Sequence, residues 1–275
     1  MSAQSQKNRL TVPQVRARKG GEPLVCLTAY DAAMARLLDA HCDILLVGDS
    51  LGMVVHGMDS TIGVTLDMMV LHGQAVMRAA KQALVVIDLP FGTYEKSPEQ
   101  AFQSASWVLS ATGAQAVKIE SGVYAAETIR FLTDRGIPVM GHVGLRPQAS
   151  LSEGGFKAKG RDDAERQRVL DEAKAADEAG AFAIVIEGVE EGLAREITQA
   201  VSAPAIGIGA SAACDGQILV TQDMLGLFDW APKFVRRYGQ MSAMIEDAVG
   251  RYAEDVKSRA FPGANETYSF KQKNG

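Results

Sequence analysis

The stretch ILLVGDS, residues 44–50, runs five apolar or small residues straight into an aspartate and a serine. A carboxylate is rarely buried without a partner, so the meaning of this strand depends on how many others end in the same way. Similar β-rich runs recur at LVCLTAY (24–30), LVVIDLP (84–90), AVKIE (116–120), VMGHVG (139–144), FAIVIEG (182–188), AIGIGA (205–210) and, less clearly, ILVTQD (218–223). Most are near-continuous in apolar character, as parallel strands covered on both faces require.

Helical patterns fill many of the gaps: 32–40, 66–80, 101–113, 125–136, 162–180 and 193–201. The third is the best signalled. Ser97 is its expected cap, Pro98 fits the first turn, Gln100 would complete a capping box, and Gly113 supplies the stop. Gly136, with Pro138 beyond it, ends the next helix. Alternating strands and helices predict repeated βαβ units. Eight of them close into a (β/α)8 TIM barrel, for which roughly 250 residues is typical. An open doubly wound sheet is the alternative, weakened because no G-x-G-x-x-G follows the first strand.

The last two units are compressed: either the helix between AIGIGA and ILVTQD is short or the eighth strand is misplaced. TVPQVRARKG (11–20) is expected to form a short helix at the base of the barrel, 233–259 a C-terminal helix, and 261–275 a tail. With no linker to divide it, the chain is expected to be a single barrel domain over 1–275.

Composition narrows the function. With 47% hydrophobic and 22% charged residues and a net charge of −5, the chain has no basic stripe to follow a phosphate backbone, so no nucleic-acid partner is expected. The polar start MSAQSQKNRL and the lack of a long apolar run predict no membrane partner and a cytoplasmic location. Cys26, Cys42 and Cys214 form no C-x-x-C pair and suit buried structural thiols.

The catalytic groups of such a barrel lie at the C-terminal ends of its strands. Those ends carry Asp49 and Ser50, Asp88, Lys118 and Glu120, His142, and Glu187. Taken singly, each has a bland role as a helix cap, a satisfied core histidine or a structural ion pair. Their coincidence at five strand ends is the signal. Lys118 and Glu120 share one strand face, and Val47 and Asp49 share another; if those faces point inward, the charges converge. An oxygen-rich site of two aspartates and a glutamate suits Mg²⁺, which leaves positions open for a 2-oxo acid. Glu187, in the apolar company of FAIVIE, is the candidate base, its protonated form favoured by burial. Two other readings remain open here: Lys118 as a Schiff-base nucleophile, and a non-catalytic barrel binding an anion at AIGIGAS.

TAYD (28–31), LVGDSLGM (46–53), DST (59–61), DLPF (88–91), VKIE (117–120), GHVGL (141–145), GGFKAKGR (154–161) and DGQILV (215–220) together resemble the ordered motifs of the ketopantoate hydroxymethyltransferase family. The resemblance implies a barrel of the phosphoenolpyruvate/pyruvate class. It also implies transfer of a hydroxymethyl group from 5,10-methylenetetrahydrofolate to 3-methyl-2-oxobutanoate, giving 2-dehydropantoate in the first committed step of pantothenate synthesis. By motif, Asp49 and Asp88 are implied Mg²⁺ ligands, with Glu120 completing the metal environment directly or through water. Ser50 and Lys118 are implied to hold substrate oxygens, Glu187 to accept the C3 proton, and His142 to hydrogen-bond substrate or product. A homo-oligomer, commonly a decamer, is implied too. The chain departs from the pattern at His56 and Met58 in VVHGMDST and at SAACDGQ (211–217), and FGTYEKSP (91–98) reads as part of a lid.

Overall fold

In a computed structural model, which describes residues 9–268, eight parallel strands close into a barrel. They are β1 (Leu24–Thr28), β2 (Ile44–Val47), β3 (Leu84–Asp88), β4 (Ala116–Glu120), β5 (Val139–Gly144), β6 (Ala183–Glu187), β7 (Ala205–Ile208) and β8 (Gly216–Leu219). Closure runs through β8 and β1, with Leu24 opposite Gly216 and Leu27 opposite Leu219. This settles the choice against an open sheet.

Alternation along the strands separates two cores. Leu24, Cys26, Ile44, Leu46, Leu84, Val86, Ala116, Met140, Val185, Ile206 and Ile218 fill the barrel interior, with Val15 of the short helix Val12–Arg16 added to the same cluster. Leu45, Val47, Val85, Ile87, Val117, Ile119 and Ile186 point the other way. They pack with Met69, Val76, Val108, Ile129, Leu132, Val169 and Ile197 of the surrounding helices.

The helix Pro98–Thr112 forms as its signals predict, with one change. Ser97 accepts from the Gln100 amide and Gly113 adopts φ 77°. Gln100 Oε1, however, accepts from Lys96 N rather than from the cap residue, so the reciprocal half of the capping box shifts one residue outward. The helix Ala125–Thr133 stops short of the expected boundary, and Gly136, at φ 81°, turns the chain before Pro138.

The crowded end of the barrel is also resolved. No helix forms between β7 and β8; residues 209–215 make a turn, and β8 begins at Gly216, two residues before the expected start. Asp215 explains the early start: its carboxylate accepts from Ala205 N and Gly20 N and lies 2.9 Å from Lys19 Nζ. That places the first residue of DGQILV in a structural tie rather than in a binding site.

Two units divide the chain, one up to Thr221 and the other from Gln222. The first holds the barrel. In the second, the principal element is the helix Met241–Ser258, so residues 233–240 precede the helix instead of starting it. Among the described residues, no helix is long and apolar enough to cross a membrane.

Candidate active site

Period-two alternation carries chemistry to the barrel mouth. Asp88, Lys118, Glu120, His142 and Glu187 have the parity of the interior residues Val86, Ala116, Met140 and Val185 on their own strands, so all five face inward. Asp49 does not follow this rule. Val47 faces the helices, and β2 ends there; Asp49 reaches the site because the chain turns through Gly48 and Asp49 into the helix Leu51–Val54. The expected Val47–Asp49 face is therefore corrected. The turn is held by Asp49 N donating to Asp88 Oδ2 at 3.0 Å.

Asp49, Asp88, Lys118 and Glu120 are all buried. Lys118 Nζ lies 2.9 Å from Asp88 Oδ1. Three buried carboxylates thus face one ammonium, and two negative charges lack a cationic partner. The strain shows in the acidities. Burial, and then the charge of Asp88, push Asp49 up to about 7. Burial, and then Asp49, raise Glu120 well above the ordinary carboxylate range. Burial alone would lower Lys118, but Asp88, Asp49 and Glu120 outweigh it and raise its affinity for the proton. Such a lysine is an ammonium, which removes the free amine that a Schiff base requires.

His142 is buried between the lysine and the candidate base. Its Nδ1 is 3.4 Å from Lys118 Nζ, and its Nε2 is 3.2 Å from Glu187 Oε2. An ammonium can only donate, so Nδ1 is the acceptor and the imidazole proton sits on Nε2, facing Glu187. Burial, followed by the Lys118 charge, holds His142 below its ordinary pKa and keeps it neutral. Glu187 has a side chain 20% exposed, against 4% for Asp88. The apolar enclosure expected from FAIVIE ends one residue early, which leaves this carboxylate the most accessible acid at the mouth.

Ser50 Oγ is 2.8 Å from Tyr30 Oη, a buried phenol whose pKa burial raises. His72 Nδ1 is 2.6 Å from the Tyr30 carbonyl, and its Nε2 is 3.0 Å from His56 Nε2. The departure at His56 is thereby tied, through His72, to the residue that holds Ser50.

Sequence reasoning missed Gln148 and Tyr94. Gln148, in the turn after β5, donates from Nε2 to Asp49 Oδ2 at 2.8 Å and to the Leu89 carbonyl at 3.0 Å. Its backbone N–H lies 3.1 and 3.2 Å from the two Glu120 carboxylate oxygens. Tyr94, from the FGTYEKSP loop, donates to Gln148 Oε1 at 2.6 Å and accepts from Glu120 N at 3.2 Å. That loop is pinned to the site by a buried residue.

Among the described residues, no three acidic, imidazole or thiol side chains converge on a single point. Mg²⁺ does not demand that they should, since it commonly takes one or two carboxylates and completes its octahedron with water and substrate oxygens. The donor set is all oxygen, and its uncompensated charge matches a divalent ion. At AIGIGAS, Ser211 Oγ donates to Glu191 Oε1, which places a carboxylate at the glycine-rich turn.

Comparison with known proteins agrees with this architecture. The family model described as ketopantoate hydroxymethyltransferase matches residues 9–264. A protein of Maricaulis maris named 3-methyl-2-oxobutanoate hydroxymethyltransferase is 69% identical, with 100% of each chain covered. Among solved structures, 2,3-dimethylmalate lyase, a member of the PEP mutase/isocitrate lyase superfamily, superposes with a TM-score of 0.58 at 18% identity, over 94% of this chain and 91% of the other. Phosphonopyruvate hydrolase, solved with oxalate and Mg²⁺, gives 0.59 at 14% identity, with 93% of each covered. These two share the fold, a (β/α)8 TIM barrel. With both the family model and a full-length relative matching, the chain is an enzyme, a transferase, and belongs to the ketopantoate hydroxymethyltransferase family.

Proposed function

We propose that this site transfers a hydroxymethyl group from 5,10-methylenetetrahydrofolate to 3-methyl-2-oxobutanoate, with Mg²⁺ as the metal. The observation that carries the reading is the buried set of Asp49, Asp88 and Glu120 against the single cation Lys118. Asp49 and Asp88 would hold the metal, and Glu120, already engaged by Gln148 N–H, would act through water. When bound, Mg²⁺ polarises the keto oxygen and makes the adjoining C3–H acidic.

The side chains supply the rest. Glu187 accepts the C3 proton, with His142 Nε2 lying 3.2 Å from its Oε2. Lys118 faces the charge that develops on the keto oxygen, and Ser50, braced by Tyr30, holds the substrate carboxylate. The new bond joins C3 to the methylene carbon of the folate, both C–N bonds of that carbon break, water supplies the hydroxyl, and the C3 proton and the second proton of that water end on the two nitrogens of the departing tetrahydrofolate.

The test is solvent deuterium exchange at C3 of 3-methyl-2-oxobutanoate without folate. Exchange that requires Mg²⁺ supports the reading. Full exchange in metal-stripped protein would sink it.

A further inference from the structure

Gln148 commits its whole side-chain amide and its backbone N–H at the site. Its two amide hydrogens go to Asp49 Oδ2 and the Leu89 carbonyl, its Oε1 accepts from Tyr94, and its backbone N–H goes to Glu120. The amide orientation is unambiguous. The Leu89 carbonyl can only accept, so Nε2 must face it; Tyr94 Oη already accepts from Glu120 N, so its own proton is free for Oε1. The residue is 5% exposed, so water does not replace these bonds.

The two acids held this way come from different places, a turn after β2 and the end of β4. Neither touches the other directly through a hydrogen bond, and both are short of positive charge. Gln148 donates to Asp49 from its side chain and to Glu120 from its backbone, and Tyr94 bridges Gln148 Oε1 to Glu120 N, so the two acids belong to one network. With one lone pair of Asp49 Oδ2 taken by Gln148, Oδ1 keeps both of its own for a cation.

The turn bearing Gln148 is itself anchored from behind. Arg146 Nη2 lies 2.7 Å from Glu153 Oε1, and Lys159 Nζ lies 2.6 Å from Glu153 Oε2. The segment after β5 is thus fixed at both its ends.

From this geometry we propose that Gln148, with Tyr94, is a positioning residue for the divalent cation: it sets the separation and orientation of Asp49 and Glu120 before metal arrives. The inference rests on the metal reading above and extends it to residues that touch neither metal nor substrate. Groups that orient ligands in this way typically change metal affinity by about 10–100-fold when removed.

The experiment is titration of substrate-free protein with Mn²⁺, followed by the electron paramagnetic resonance signal of the free ion, for the parent, Gln148→Ala, Tyr94→Phe and the double variant. Gln148→Ala should raise the Mn²⁺ dissociation constant by about 10–100-fold, and Tyr94→Phe by less. The double variant should lose less than the two losses combined, because both act through one network. In steady-state assays, Gln148→Ala should need more Mg²⁺ for half-maximal rate yet recover most of the parent kcat at saturating metal. A folded Gln148→Ala protein binding Mn²⁺ within about twofold of the parent would overturn the inference. Should Gln148→Ala not fold, parent-like affinity in Tyr94→Phe would overturn it equally. Failure of the underlying metal reading looks different: the parent itself would bind no Mn²⁺, or Asp88→Asn would bind as well as the parent.

Discussion

At the scale of single residues, the site is a problem in charge. Lys118 is kept protonated chiefly by Asp88, 2.9 Å away, whereas Glu187 stands apart, with a neutral imidazole as its neighbour. The division suggests separate tasks, charge stabilisation for one and proton transfer for the other. Glu187→Gln removes a proton acceptor without removing volume, and we expect kcat to fall by about 10²–10⁴-fold while substrate binding stays close to normal. Steady-state kinetics with C3 deuterium exchange checks this; near-parental exchange in the variant would remove Glu187 from the role. A second consequence concerns pH. The raised pKa values of Asp49 and Glu120 mean that the metal-free folded protein holds protons that the unfolded chain has released, since unfolded carboxylates titrate near ~4. Its stability therefore falls as pH rises from about 4 to about 7. A divalent ion binds only the ionised carboxylates, so its stabilisation grows over the same window. Calorimetry against an EDTA control should show Mg²⁺ raising the Tm more at about pH 8 than at about pH 5. Equal shifts at the two values would argue against a cation at these acids.

At the scale of elements, the strand ends deliver the chemistry and the turns refine it. Gly144, the last residue of β5, adopts φ 96°, and a Cβ there would meet the Glu187 carbonyl oxygen at 2.3 Å. Leu145 N donates to that same oxygen, so β5 and β6 are closed tightly just where the candidate base projects. Gly144→Ala must displace backbone, both for the close approach and for the left-handed conformation. Misplacement of reacting groups by about 1 Å can cost about 10²-fold in rate. We expect a loss of that order in kcat, with far-ultraviolet circular dichroism retained; an unimpaired variant would show that β6 tolerates the shift. That Lys118 and Glu120 share a face was legible because strand period two needs only a starting residue; that this face, with Asp88, His142 and Glu187, points inward was not. Asp49 was legible as a charged residue just past a strand end but not in its orientation, since a chain that has left its strand no longer alternates.

At the scale of the whole molecule, the helix Met241–Ser258 buries none of its side chains. Ile245, Val249, Tyr252 and Val256 recur at helical spacing and are exposed, an apolar stripe that isolated soluble chains seldom present. We propose that a second copy of the chain covers it, in keeping with the homo-oligomer that the family resemblance implies. Light scattering should give a mass above that of one chain for the parent, and Ile245→Glu with Val249→Glu should lower it. A monomeric parent would remove this reading.

The order of apolar runs, turn residues and charged strand ends was enough to determine the repeated βαβ units, the charged groups at five strand ends and the family motifs, because alternation and capping act over a few neighbouring residues; closure of the barrel through β8 and β1, and which strand faces point inward, came from the tertiary structure. Only the tertiary structure decided that Gln148 and Tyr94 bind the acids together, that Tyr30 braces Ser50, and that β8 starts at Asp215's tie. Those contacts join residues far apart in sequence, such as Asp49 and Gln148, and no local pattern records which loops close over which strand ends.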